Sequence, residues 1–224
     1  MSDDLIARVI VVAIMLLVGF PVHEFAHALA AYRLGDSTAK LMGRLTLNPI
    51  AHFDPLGGIL LAVSFIGSGF GFGWAKPTPV SPANLAGGRR GEAIVAAAGP
   101  LSNLVLAAAV ALPLRYIFSN PELAPQIPEL VILILALFVY INLVLMIFNL
   151  LPIPPLDGSH VVKHLLPAPI ALQYERIGRY GLIILMLVLM VGRPIVAKWM
   201  APAFVLTRET EVRTSPYLLP RTWL

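Results

Sequence analysis

Residues 5–22 form an apolar run interrupted by a single charge, Arg8, and nearly long enough by itself to cross a bilayer. The run leads without a break into His23-Glu24-Phe25-Ala26-His27. Backbone at membrane depth has to satisfy its own hydrogen bonds, so a lone apolar run of this length is read as a helix. On a helix the two histidines lie one turn apart on the same face. Both imidazoles can then reach one Zn²⁺, while Glu24, adjacent to the metal, can take a proton from its water. Such chemistry hydrolyses amide bonds. The setting of the motif predicts a protease whose metal lies below the membrane surface.

The remaining composition agrees with a membrane setting. Of 224 residues, 58% are hydrophobic and 12% charged, against roughly 25% charged in soluble domains, which leaves no room for a sizeable soluble domain. The net charge of +4 comes without a basic tract or stacking motif, so no nucleic-acid partner is expected; in a membrane chain such an excess marks cytoplasmic loops. No cysteine is present, which excludes disulfides and cysteine-based metal sites and leaves His, Asp and Glu as ligands. Met1-Ser2-Asp3-Asp4 is acidic where a secretory signal is basic, and no small-residue cleavage site follows, so the first segment is expected to remain as a transmembrane helix.

Along the chain, the first helix is predicted over residues 5–34, ~45 Å at 1.5 Å per residue, kinked by Pro21 and stopped by Gly35-Asp36-Ser37. Leu41, Gly43, Leu45 and Leu47 alternate with Met42, Arg44, Thr46 and Asn48, which predicts a short strand ending at Asn48-Pro49. Residues 56–72 are apolar but carry Gly57, Gly58, Gly67, Gly69 and Gly71, a poor straight helix and a fair re-entrant segment; close helix packing is the other use for those glycines. The Pro-rich stretch Lys76-Pro77-Thr78-Pro79-Val80-Ser81-Pro82 is extended. Further spans are predicted over residues 92–118 and 130–151, separated by a loop with three prolines. Pro152-Ile153-Pro154-Pro155-Leu156-Asp157-Gly158 breaks the helix, and a fourth apolar segment lies near residues 181–191. The expected architecture is an all-α polytopic membrane protein with four transmembrane helices, a Gly-rich re-entrant segment and a small membrane-embedded β element. Residues 1–206 form a single transmembrane metalloprotease domain and residues 207–224 a polar C-terminal tail.

Orientation follows from the basic residues. Arg33, Lys40 and Arg44, then Lys76, Arg89 and Arg90, then Lys163, Arg176 and Arg179 fall in three connecting segments, whereas residues 119–129 hold none. The three segments are therefore expected in the cytoplasm and the N-terminus outside, which requires residues 56–72 to enter and leave on one side.

A catalytic zinc site usually has three protein ligands and a water, so the two histidines need a companion from Asp54, Asp157, His52, His160 and His164. Asp157 is favoured: it follows a span that returns to the right face, within an unwound segment able to aim a carboxylate inward. His160 and His164 form another i, i+4 pair, but no Glu follows His160. Asn48, His52 and Asp54 are candidates to line a water path.

Together with Asn149-Leu150-Leu151-Pro152-Ile153-Pro154-Pro155-Leu156-Asp157-Gly158, the histidine motif resembles the paired signatures of the site-2 protease family of intramembrane metalloproteases. Ala98-Gly99-Pro100-Leu101-Ser102-Asn103 resembles that family's intervening motif, and Leu45-Thr46-Leu47-Asn48-Pro49 and Gly73-Trp74-Ala75-Lys76-Pro77 are similar to segments of its short bacterial branch. The resemblance covers most of residues 20–160 and lacks the PDZ domain that other branches insert between the motifs. It implies one zinc per chain held by His23, His27 and Asp157, Glu24 as general base, a metal toward the cytoplasmic side, and the strand near residues 41–47 as a partner for unwound substrate. Asn103 and Asn149 are candidates for contacts to substrate backbone or to a developing oxyanion; bonding between neighbouring helices is their other use. The expected partners are a transmembrane protein substrate and the lipid bilayer, and the expected location is the plasma membrane. Rival readings are a non-catalytic membrane protein that binds metal or a helix, and a divalent-metal transporter. Glu24 argues against the first, and the scarcity of acidic residues in the second and third spans argues against the second.

Overall fold

The computed structural model describes residues 3–68, 73–120, 122–191 and 198. Among these the chain is all-helical, and three helices are long and apolar enough to cross a membrane: Leu5–Arg33, Arg89–Ser119 and Glu129–Asn149.

The first of these consists of α1 (Asp3–Ile14), a π-helical turn (Met15–Gly19) and α2 (Phe20–Arg33). The break anticipated at Pro21 takes the form of that turn. Pro21 has no N–H to give to the carbonyl four residues back, and its ring would collide with that carbonyl. Widening the preceding turn, in which Phe20 N–H bonds the Met15 carbonyl, relieves both. Gly19 also brings the turn against Leu145, whose Cδ1 would lie 2.8 Å from a Cβ there.

The remaining elements are α3 (Thr38–Leu41), α4 (Pro49–His52), α5 (Pro55–Ser68), α6 (Arg89–Ser119), α7 (Glu129–Asn149), α8 (Asp157–Leu165), α9 (Ala168–Gly178) and α10 (Gly181–Val191). Helix α6 is the hub and packs against α2, α7 and α8. Ala107 and Leu114 of α6 meet Val139, Leu143 and Ile147 of α7 in one apolar cluster. Val11 of α1 meets Leu137, Ile141 and Leu145 of α7 in a second.

Two expectations are corrected. The strand expected over residues 41–48 does not form. Met42, Gly43 and Arg44 donate their N–H groups back to Thr38, Lys40 and Ala39, and Gly43 turns the chain at φ 70°. A lone strand has no ladder partner, so the backbone closes on itself. The alternation is inverted as well, with Arg44 buried and Leu41 and Leu47 exposed.

The glycine-rich segment is not a poor helix, because α5 runs through Gly57, Gly58 and Gly67. A Cβ at Gly57 would collide with Trp74, and one at Gly58 with the Phe53 ring, so these glycines serve close packing. Gly73 and Trp74 thus lie against the first turns of α5, a helix of 14 residues and ~21 Å long, shorter than a bilayer core of roughly 30 Å. Residues 69–72 lie outside the described residues.

The fourth apolar segment is present as α10, but its 11 described residues are not a full span. The polar tail at 207–224 lies outside the described residues.

The stop after α2 is a polar junction. Asp36, fully buried, accepts from Thr38 Oγ1 (2.5 Å), Thr38 N (3.0 Å), Ser81 N (2.7 Å) and Asn84 Nδ2 (3.2 Å), tying the end of α2 to the Pro-rich segment. Burial alone would raise its carboxyl pKa, but these donors outweigh it and hold it below the usual carboxylate value. Asp36→Ala orphans two backbone N–H groups and should cost about 3 kcal/mol in thermal or denaturant unfolding in detergent. The group contributes stability above its unfolded pKa of about 4, and loses that contribution as pH falls through the lower folded value. The variant should therefore unfold at a temperature that varies less with pH over that acidic window than wild type does.

Candidate metal centre

Helical periodicity places His23 and His27 on the α2 face that meets α6, and both are buried, at 6% and 7% exposed. Each imidazole turns Nδ1 to a partner on α6. His23 Nδ1 lies 2.9 Å from Asn103 Oδ1, and His27 Nδ1 lies 2.7 Å from the Val95 carbonyl. Both Nε2 atoms therefore face the same corner, 3.1 Å apart.

Asp157 completes the corner. Its Oδ2 lies 3.1 Å from His23 Nε2 and 3.4 Å from His27 Nε2. It is the first residue of α8, released from α7 by the proline-rich break. Gly158 lets the α8 N-terminus sit on the end of α7, since a Cβ there would strike the Leu150 and Leu151 carbonyls. The far end of α8 is pinned to α6. Arg89 donates to the carbonyls of Lys163 and Leu166, the latter at 2.9 Å, and Lys163 Nζ pairs with Glu92 Oε2 at 3.2 Å. Lys163 also pairs with Glu175 of α9. Burial alone would lower the Lys163 pKa, but the two carboxylates raise it above its ordinary value.

Among the described residues, His23, His27 and Asp157 are the group of three whose donor atoms lie close enough to share one ion. The fit to zinc can be tested from the donor triangle itself. Bonds of ~2.0–2.2 Å in a tetrahedron place ligand atoms ~3.3–3.5 Å apart, and the observed edges of 3.1, 3.1 and 3.4 Å approach that size. Two imidazoles with Nδ1 bonded away, leaving Nε2 for a metal, and one carboxylate are also a donor set that zinc accepts.

Gly99 leaves room for the corner. A Cβ at this position would lie 2.6 Å from His23 Nε2 and closer still to His27 Nε2. Any side chain there would occupy the space in which an ion meets its ligands.

Glu24 follows His23 on α2 and is held from outside that helix. Thr78 N donates to Glu24 Oε2 at 2.8 Å, and Thr78 Oγ1 donates to the Glu24 carbonyl at 3.0 Å. Thr78 lies between Pro77 and Pro79, which keep the segment extended as it crosses α2. Sequence reasoning read this stretch as extended and gave Thr78 no role. Nothing local distinguishes it, because its contact is 54 residues away in the chain.

The other sequence candidates have the following partners. Asn48 accepts from Ile50 N and Asp54 from Gly57 N, so they bond first-turn N–H groups of α4 and α5. His52 is buried, with Nε2 on the Thr46 carbonyl and Nδ1 unpartnered, beside a cavity of about 10 Å³ shared with Asp54, Pro21 and Trp74. That is room for one water. His160 and His164 are exposed on α8. Asn103 is fully buried, with its oxygen toward His23 and its Nδ2 donating to Asn142 at 3.3 Å. Asn149 donates to the Leu145 carbonyl of its own helix at 2.9 Å.

The model of peptidase family M50 matches residues 124–191, which hold α7, Asp157 and α8. The chain is 42% identical over 173 residues to "Putative zinc metalloprotease YwhC" of Bacillus subtilis, covering 76% of each chain. It is 35% identical over 146 residues to "Putative zinc metalloprotease Rip2" of Mycolicibacterium smegmatis, covering 65% of this chain and 53% of the relative. Over 153 residues it is 33% identical to Rip2 of Mycobacterium tuberculosis H37Rv, covering 67% of this chain and 56% of the relative. No solved structure matches the chain.

Gly99→Ala should drive the α6 backbone off the histidine face or fill the corner. Metal content by elemental analysis should drop well below that of wild type, while Gly99→Ala and wild type keep similar helical content by circular dichroism.

Proposed function

The chain belongs to peptidase family M50, and on that premise we propose that this zinc metalloprotease is an intramembrane endopeptidase, hydrolysing peptide bonds in or near transmembrane segments of other membrane proteins. The observation that carries the proposal is the convergence of His23 Nε2, His27 Nε2 and Asp157 Oδ2 at one corner, two of them on a helix long and apolar enough to span. Ionisable groups are costly at such a depth unless they pair or bind an ion.

His23, His27 and Asp157 would hold one Zn²⁺. When bound, zinc supplies Lewis acidity, polarising a carbonyl and acidifying a water to a pKa of about 7. The protein's own part falls first to Glu24. With Oε2 engaged by Thr78 N–H, Oε1 is assigned the proton, taken from the attacking water and returned to the leaving amine. Asn103 is buried with both amide groups engaged, so contact with substrate backbone is assigned to Asn149, half-buried at the end of α7. With no strand over residues 41–47, pairing of substrate with that segment forms no part of the proposal.

The active centre is placed toward the cytoplasm of the plasma membrane, with the N-terminus outside. The distribution of Lys and Arg supports this orientation. So does the return of Gly73 and Trp74 to the first turns of α5, as expected if residues 56–72 enter and leave on one side. Transport or simple metal binding would not call for a carboxylate next in sequence to His23 and held by a donor from another segment.

Zinc per chain, measured by elemental analysis after purification in detergent, should be about one in wild type and fall to a small fraction of that in Asp157→Ala. Glu24→Gln should keep its zinc and cleave transmembrane peptides in liposomes about 10²- to 10⁴-fold more slowly. Unchanged zinc in Asp157→Ala, or undiminished cleavage by Glu24→Gln, would remove the assigned roles.

A further inference from the structure

Apart from Tyr140, Asn142 is the only polar side chain in residues 130–148 of α7, and it is fully buried. An amide in such a place is costly unless both ends are bonded. Its Nδ2 donates to the Phe138 carbonyl of its own helix at 2.9 Å, and its Oδ1 accepts from Asn103 Nδ2 at 3.3 Å. Asn103 Oδ1 in turn faces His23 Nδ1 at 2.9 Å.

The direction of this chain is forced from its far end. The Phe138 carbonyl can only accept, so Asn142 must turn its NH₂ toward it and its oxygen toward Asn103. Asn103 must then offer NH₂ to Asn142 and oxygen to His23. An amide oxygen also only accepts, so His23 Nδ1 must carry the proton, and the lone pair is left on Nε2, the atom facing His27 and Asp157. Asn103 alone fixes nothing, because an amide can present either end; Asn142 decides which. His27 needs no such relay, since its Nδ1 bonds a backbone carbonyl, which accepts and never donates.

From this geometry we propose that Asn142 is a positioning residue: acting through Asn103, it sets the tautomer and orientation in which His23 presents Nε2 to the metal. The inference rests on the zinc site proposed above. Groups that orient a ligating histidine typically change metal affinity by about 10- to 100-fold when removed.

The test is zinc affinity by chelator competition in detergent, with the melting temperature of each metal-free protein measured alongside. Asn142→Leu removes the relay at similar volume and should bind zinc about 10- to 100-fold more weakly. Asn142→Asp keeps the same direction, because a carboxyl oxygen there accepts from Asn103 Nδ2. It should bind close to wild type. Asn142→Ala removes the relay without adding bulk and should weaken affinity as the leucine variant does, which keeps the test alive if Asn142→Leu fails to fold. A merely structural Asn142 would lower the melting temperatures and leave affinity unchanged; that result overturns the proposal, as does equal weakening in Asn142→Asp and Asn142→Leu. Wild type that takes up no zinc would instead remove the site itself.

Discussion

Two imidazoles and a carboxylate among apolar helices are tolerable only if every polar atom has somewhere to go. An amide or hydroxyl left unpaired in an apolar medium costs about 2–7 kcal/mol. No hydrophobic driving force acts between apolar helices in lipid, where the tails are as apolar as leucine, and association is left to close packing and interhelical hydrogen bonds. Polar satisfaction therefore decides how the bundle is arranged. Each histidine gives its Nδ1 to one acceptor on α6, so α6 has to run close against α2. That closeness requires a residue without a side chain at 99, and the carboxylate that closes the corner has to come from a third direction. Arg89 and Lys163 then hold the far end of the short helix that delivers Asp157.

How much of this could be read in advance depends on sequence distance. His23, Glu24 and His27 were legible because helical periodicity alone puts them together. The long apolar helices were legible because bilayer thickness sets their length, and the structure gives Arg89–Ser119 and Glu129–Asn149 where residues 92–118 and 130–151 were expected. Asp157 lies 134 residues from His23 and was reached only through topology and the family pattern. Thr78 and Asn142 were not legible: one presents a backbone N–H, which every residue but proline has, and the other is one amide in an apolar helix. The strand expected over residues 41–48 misled because alternation describes side chains and says nothing of a ladder partner.

The basic residues show a second limit. Counting Lys and Arg in loops treats each as a solvated charge, yet Arg44 is buried with its guanidinium on the Ala51 carbonyl, and Arg89 caps the C-terminal end of α8. A cation at a helix C-terminus meets both unpaired carbonyls and the negative end of the dipole. The same residue can thus mark a side of the membrane and hold the fold together.

The π turn at Met15–Gly19 bears on how the first span divides its duties. Such a turn is an α-helix with one residue inserted, and at 3.6 residues per turn that residue rotates everything beyond it by roughly 100°. Upstream, the span turns Val11 toward α7; downstream, it turns His23 and His27 toward α6. The insertion works as a phase adjuster between two surfaces that a regular helix would have locked to a single stripe. One transmembrane segment can in this way match an apolar neighbour with its first half and a polar one with its second, each keeping its own register.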